Sequence, residues 1–113
     1  MFSITSSRYF LYAEVIDIRN GFDGLCGIVT SQLGQDPMSG DIFIFLNREH
    51  NRIKLLRWEA GGFVLFYKRL EKGRFEFPVS SKINKTYQMD YTELAMLITG
   101  ISMRNARKKL RFS

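Results

Sequence analysis

The acidic side chains are the first candidates for chemistry in this sequence, because phosphodiester hydrolysis with two divalent metal ions requires several carboxylates around one point. The candidates are Asp17, Asp23, Asp36, Asp41 and Glu71. Asp17 and Asp23 flank the predicted start of a helix, where a carboxylate caps backbone N–H groups and is favoured by the helix dipole. The five are not gathered into a set, so the sequence predicts no catalytic residue and no metal site.

The single histidine and the single cysteine do not suggest catalysis either. His50 lies in the polar segment NREHN, where we expect an exposed turn residue, and a general base would need a nucleophile and an orienting group beside it. Cys26 can form no internal disulfide, and we expect it to be a small buried side chain. The glycines of GFDGLCG lie in a helical pattern rather than in a phosphate-binding loop. We therefore expect a protein that is not an enzyme and that uses no cofactor.

The positive charge is concentrated in two blocks and gives a formal net charge of +6. Residues 48–74 contain eight basic and three acidic residues, and residues 104–113 contain five basic residues and no acidic one. The candidate nucleic-acid contacts are the basic residues of the first block: Arg48, Arg52, Lys54, Arg57, Lys68, Arg69, Lys72 and Arg74. Many of them fall near strand ends and the turn EKG, an arrangement that fits a phosphate backbone. The same residues also fit a solvated edge whose charges prevent aggregation between sheets.

Two further sets of residues have a structural and a functional interpretation. Asp17 and Arg19 lie between the first predicted strand and helix. In the structural interpretation Asp17 or Asn20 caps that helix and Arg19 pairs with a sheet residue, and in the functional one the pair contacts a partner or DNA. The aromatic residues of the strands, including Trp58 and Tyr67, suit stacking on bases, but in so small a domain we expect them to form the core.

Residue patterns in the first two thirds of the chain predict one strand, one helix and then four strands. A strand is expected near Tyr9–Val15, followed by an amphipathic helix that ends before Gly34. The segments DIFIFL, RIKLLRW, GFVLFYKRL and RFEF are rich in β-branched and aromatic residues, and short polar or glycine-rich links separate them. They predict an antiparallel meander whose last hairpin turns at residues 71–73, with a positive φ at Gly73, and which ends at Pro78.

The remaining chain predicts a linker at residues 79–88, a helix at about Tyr91–Thr99 and a basic tail. Asp90 and Glu93 have the spacing of a capping box, and Gly100 is placed to end the helix. The expected fold is α+β, a single small domain over residues 1–103 with a mostly antiparallel sheet and two helices, in the order β-α-β-β-β-β-α. Residues 104–113 form the predicted tail.

Three ordered blocks carry a resemblance to a known family. They are DIRNGFDGL at 17–25, QLGQDPMSGDIFIFLNR at 32–48 and RIKLLRWEAGGFVLFYKRLEKGRFEFP at 52–78, of which YKRLEKGRFEFP is the most specific. The chain resembles the TnpB-type accessory protein encoded by the second reading frame of bacterial insertion sequences of family sixty-six. It departs from that family's usual residues at Ile18, where Met is common, and at Phe77, where Trp is common, and both changes keep apolar bulk.

The resemblance implies a role in DNA transposition beside the element's transposase and its other accessory protein. We expect a non-catalytic accessory protein that contacts DNA, the transposase or both through a basic hairpin face. The alternative is an adaptor that binds the transposase without touching DNA, and a free sheet edge would permit a homo-oligomer. No apolar run is long enough to span a bilayer, so we expect a cytoplasmic protein without membrane contact.

Overall fold

The computed structural model describes residues 7–77 and 85–100, which form one five-stranded sheet with a helix on each face. The elements are β1 (Tyr9–Ile16), α1 (Phe22–Ser31), β2 (Ile42–Asn47), β3 (Arg52–Glu59), β4 (Gly62–Arg69), β5 (Thr86–Met89) and α2 (Tyr91–Thr99). The α+β class and the element order are as the sequence predicts. Residues 1–6, 78–84 and 101–113 lie outside the described part, so the predicted effect of Pro78, most of the predicted linker and the boundary at residue 103 stay predictions.

The strands lie in the order β4-β3-β2-β1-β5. β1 and β2 are parallel, because α1 connects them and returns the chain to the starting edge of the sheet, and every other neighbouring pair is antiparallel. The hairpin between β3 and β4 turns at Ala60 and Gly61, which both have positive φ. That two-residue turn sets Glu59 opposite Gly62 and, at the other end of the hairpin, Arg52 opposite Arg69.

Alternating side chains of the strands form a core on each face of the sheet. On one face, residues such as Leu11, Ile44 and Leu55 pack with Leu94 and Leu97 of α2. On the other face, residues such as Phe43 and Phe45 pack with the helix α1. All of β2 is buried, because it is the central strand and both faces are covered. We call the two sides of the sheet the α2 face and the α1 face.

One predicted strand was wrong, and another segment takes its place. RFEF does not pair in the sheet: Phe75 is fully buried on the α2 face, and its backbone N–H donates to the carbonyl oxygen of His50 at 2.6 Å. The chain therefore crosses the sheet at the expected turn instead of forming a second hairpin, although Gly73 does have the predicted positive φ of 79°. The fifth strand is TYQM, placed by the sequence pattern in a linker, which pairs antiparallel with β1.

The caps of the two helices differ in how well the sequence predicts them. At α2, Asp90 and Glu93 form the predicted capping box, and Gly100 ends the helix in the left-handed conformation. At α1 the prediction of a cap from Asp17 or Asn20 was wrong, because the N-cap is Gly21 and no side chain bonds to it. Asn20 instead occupies the space beside Gly24, where a Cβ atom would collide with its side chain.

Candidate nucleic-acid interface

Five of the predicted basic contacts lie together at one end of the sheet, where β2 and β4 end and β3 begins. We call this region the basic end, and it comprises residues 48–52 and 69–74. The five residues are Arg48, Arg52, Arg69, Lys72 and Arg74. All but the half-buried Arg52 are exposed.

A tight turn gives the basic end a fixed shape. Asn47 is buried and its side chain accepts the backbone N–H groups of Asn51 and Arg52 at 3.1 and 3.0 Å, while its amide donates to Asn51 at 2.7 Å. The segment after β4 is bound to the same turn, because Leu70 donates to the carbonyl of Asn51 at 2.8 Å. These bonds replace ladder hydrogen bonds, so the turn and the following segment are held as one surface. Nothing in the sequence pattern had singled out Asn47.

Two of the five cations are already paired with neighbouring side chains. Arg52 donates to the hydroxyl oxygen of Tyr67 at 2.7 Å. Arg69 makes two hydrogen bonds to the Glu71 carboxylate at 2.7 and 3.0 Å, and this pair lowers the pKa of Glu71. Arg69 and Glu71 are both exposed, so solvent screens their attraction. Arg52, Tyr67, Arg69 and Glu71 line an open concavity of about 530 Å³.

The other three cations are available for an external anion. Arg48, Lys72 and Arg74 are exposed, and none of them forms an ion pair within residues 7–77 and 85–100. Arg74 also lies close enough to His50 to contribute, after burial, to lowering the pKa of that imidazole. His50 is half-buried against Phe77 rather than exposed as expected, with ring centroids 5.3 Å apart. Its neutral form therefore belongs to the packing of the turn.

Lys54 is not placed to contact an external ligand. It is 6% exposed, and its ammonium group donates to the carbonyl oxygens of Ile18 and Asn20, both at 2.7 Å. The ammonium also lies 5.0 Å from the centre of the Tyr67 ring, in a cation–π contact. Lys54 thus fixes the loop between β1 and α1 against the sheet.

Lys68 and Arg57 lie on the other face of the sheet from Arg52 and Arg69. Lys68 donates to the carbonyl oxygen of Ile98 in the last turn of α2 at 2.8 Å, where the negative end of the helix dipole favours a cation. Arg57 is half-buried and opposes Val64 in the ladder. The eight predicted contacts are therefore divided: five lie at the basic end, and three lie elsewhere.

Asp17 and Arg19 form a local ion pair in the loop that Lys54 holds. The Arg19 guanidinium contacts both carboxylate oxygens of Asp17, the shortest distance being 2.6 Å, and its backbone N–H donates to the same carboxylate at 2.9 Å. These contacts lower the pKa of Asp17 to about 2. The expectation that Arg19 pairs with a sheet residue was wrong. The loop shares a shallow depression with the basic end, because residues 15–18 and Asn47 to Glu49 line it together.

The candidate carboxylates are dispersed and mostly engaged in structural contacts. Asp41 is buried and binds the Arg8 guanidinium at 2.9 Å, at the opposite end of β2 from Arg48. Asp36 accepts the backbone N–H of Met38 at 2.8 Å. Within residues 7–77 and 85–100, no three side chains of the types His, Cys, Asp and Glu are grouped to hold a metal ion. Cys26 is half-buried, and burial raises the pKa of its thiol.

Neither helix of the described part is both long and apolar enough to cross a lipid bilayer. A family model described as "IS66 Orf2 like protein" matches residues 7–108. The chain is also similar to two proteins of Sinorhizobium fredii named as uncharacterized proteins. It is 31% identical to y4jC, over 90% of this chain and 86% of that protein. It is 32% identical to y4hO, over 84% of this chain and 81% of that protein. No solved structure matches.

Proposed function

Because the chain belongs to the IS66 Orf2-like family of insertion-sequence accessory proteins, we propose that it serves transposition by binding DNA phosphates at its basic end. The observation that supports this is the grouping of Arg48, Lys72 and Arg74. They are exposed on a turn and segment held rigid by Asn47 and Phe75. Fixed cations bind a polyanion mainly through the release of its counterions, and this binding does not depend on base sequence.

In this proposal the protein positions DNA and does no chemistry on it. Asp17 is held by Arg19, Asp41 by Arg8 and Glu71 by Arg69, at three separate places. Carboxylates engaged in this way do not converge on one phosphodiester, as two-metal hydrolysis requires. Incubation of plasmid with the protein and Mg²⁺ or Mn²⁺ should leave the plasmid intact. Nicking that disappears in Asp17→Ala would contradict this part of the proposal.

The test of DNA binding is a salt titration of the triple variant Arg48→Gln, Lys72→Gln and Arg74→Gln against labelled duplex DNA. Each phosphate contact contributes about 0.9 to the slope of log affinity against log salt, so three lost contacts reduce its magnitude by up to about 2.7. The loss should be similar for unrelated DNA sequences, because phosphate contacts do not read bases. The fold should persist, since the three side chains are exposed.

Lys85→Gln is a control for a change of charge elsewhere. Lys85 is exposed beside β5, at the sheet edge opposite to β4, and it bonds to Gln32 at 2.8 Å. It should lower affinity less than Arg48→Gln alone. If DNA affinity and slope are unchanged in the triple variant while capture of the transposase fails, the adaptor function replaces the proposed one. If deletion of residues 104–113 abolishes DNA binding while the triple variant has no effect, the contact lies in the tail.

A further inference from the structure

The concavity at Arg52, Tyr67, Arg69 and Glu71 has features that a solvated patch of charge does not need. Arg52 and Arg69 are direct partners in the ladder, so two guanidinium groups leave the same face of the sheet side by side. Like charges in this relation repel each other across neighbouring strands. One carboxylate, that of Glu71, is paired with Arg69, whereas Arg52 is bonded to an uncharged hydroxyl. The pair of cations is thus suited to a second anion.

Tyr67 adds an aromatic surface to this pair of cations. Phe63 and Leu65, on the same side of β4, pack against the core beneath α1, but Tyr67 lies beyond that core and is 47% exposed. Its cross-strand partner Lys54 is buried and holds the ring by its ammonium group. The side of the ring toward the sheet is therefore occupied, and the exposed part of the ring faces solvent next to Arg52.

Resting on the proposed function, we infer that this concavity binds an unpaired nucleotide of a DNA strand. The phosphate bridges the guanidinium groups of Arg52 and Arg69, and the base stacks on Tyr67. In duplex DNA the bases are stacked on each other and cannot reach a side chain outside the grooves, so an exposed ring beside two cations favours single-stranded DNA. Stacking on an aromatic ring requires no particular base, because every base has a π face.

The inference is tested by the affinity of the full chain for two labelled probes, an oligothymidylate of about 12 nucleotides and a duplex of the same length. The wild type should bind the single strand more tightly. Tyr67→Leu should weaken single-strand binding by about 5- to 100-fold, the value of one stacked base, and should leave duplex binding unchanged. Tyr67→Phe and Tyr67→Trp keep a ring and should retain most of the single-strand affinity.

Arg52→Gln and Arg69→Gln should each flatten the salt slope for the single strand by about 0.7 per lost contact. The ring-retaining variants keep the test decisive if Tyr67→Leu does not fold. In that case Tyr67→Trp with unimpaired single-strand preference supports the inference, and loss of that preference in a folded Tyr67→Trp protein overturns it.

Two other results also overturn the inference. In the first, Tyr67→Leu lowers affinity for both probes equally. In the second, the wild type prefers the duplex and that binding is lost in the triple variant of Arg48, Lys72 and Arg74; the proposed function then survives and only the nucleotide site fails. If the wild type binds neither probe, the proposed function fails as well.

Discussion

Replacing Glu71 with glutamine should strengthen DNA binding, although it removes a hydrogen-bonded partner of Arg69. In the free protein the Glu71 carboxylate occupies two donors of the Arg69 guanidinium, at 2.7 and 3.0 Å. A DNA phosphate has to displace that carboxylate before it can bind the same donors. Glutamine still accepts a hydrogen bond but carries no charge, so it competes less. The Glu71 side chain is 74% exposed, and its loss should not disturb folding.

The magnitude follows from the count of phosphate contacts. Full release of one cation adds at most one contact, which steepens the salt slope by about 0.9 for duplex and about 0.7 for single-stranded DNA. Between about 50 and 200 mM salt, the advantage of Glu71→Gln over the wild type should then shrink by about 3.5-fold for duplex and about 2.6-fold for single strands. Fluorescence anisotropy titrations at several salt concentrations measure both slopes.

Glu59→Gln is the matched control, because it changes the net charge equally at the far end of β3, where Glu59 opposes Gly62. It should raise affinity only through the general field of the protein, with a smaller change of slope. The reasoning is refuted if Glu71→Gln binds DNA more weakly than the wild type. It is also refuted if the two variants have the same affinity and slope, since the Arg69 contact would then be irrelevant.

Three further predictions concern the scaffold. Asp90→Ala removes the capping box of α2 and should lower the free energy of unfolding by about 0.5–2 kcal/mol in urea titrations, whereas Asp90→Ser should retain most of it. Gly73→Val places a branched side chain at a φ of 79° and should cost about 1–2 kcal/mol in the same assay, although there is open space around this residue. The Asp17 carboxyl should titrate at a pKa of about 2 by NMR, and Arg19→Gln should return it toward 3.8. Because the folded pKa is depressed, the stabilising effect of this pair is present above the unfolded pKa and is lost as the pH falls through the folded one.

Elements whose signals are local in sequence are the ones that the sequence predicts well. The capping box and terminal glycine of α2 lie within eleven consecutive residues, and α2 has the predicted bounds. The hairpin of β3 and β4 is also local, since its links and alternating side chains are contiguous. In contrast, β5 is only four residues long and exists through pairing with β1, more than seventy residues earlier. No pattern within TYQM specifies that partner.

The basic residues show the same limit at the level of side chains. A count of charges cannot separate Lys54 from Arg52, because both lie on one strand and face the same side. Lys54 is buried because the carbonyl oxygens of Ile18 and Asn20, 36 and 34 residues away in sequence, converge on its ammonium group. Lys68 is likewise bound to a helix end 30 residues later. The candidate site could therefore be located from sequence only as a block, and the fold selects which of its members face solvent.

The juxtaposition of Arg52 and Arg69 depends on a turn at the other end of their hairpin. Ala60 and Gly61 both adopt positive φ, as a two-residue turn that matches the twist of its strands requires, and this fixes every pair from Glu59 and Gly62 outward. A slip of one residue would move Arg69 to the α2 face and would expose Leu65, which packs beneath α1. Burial of the apolar residues thus imposes the repulsion between the two cations. The sheet tolerates it because Tyr67 and Glu71 bind these groups in the free protein, and a bound phosphate would balance the charge more fully than the single carboxylate does.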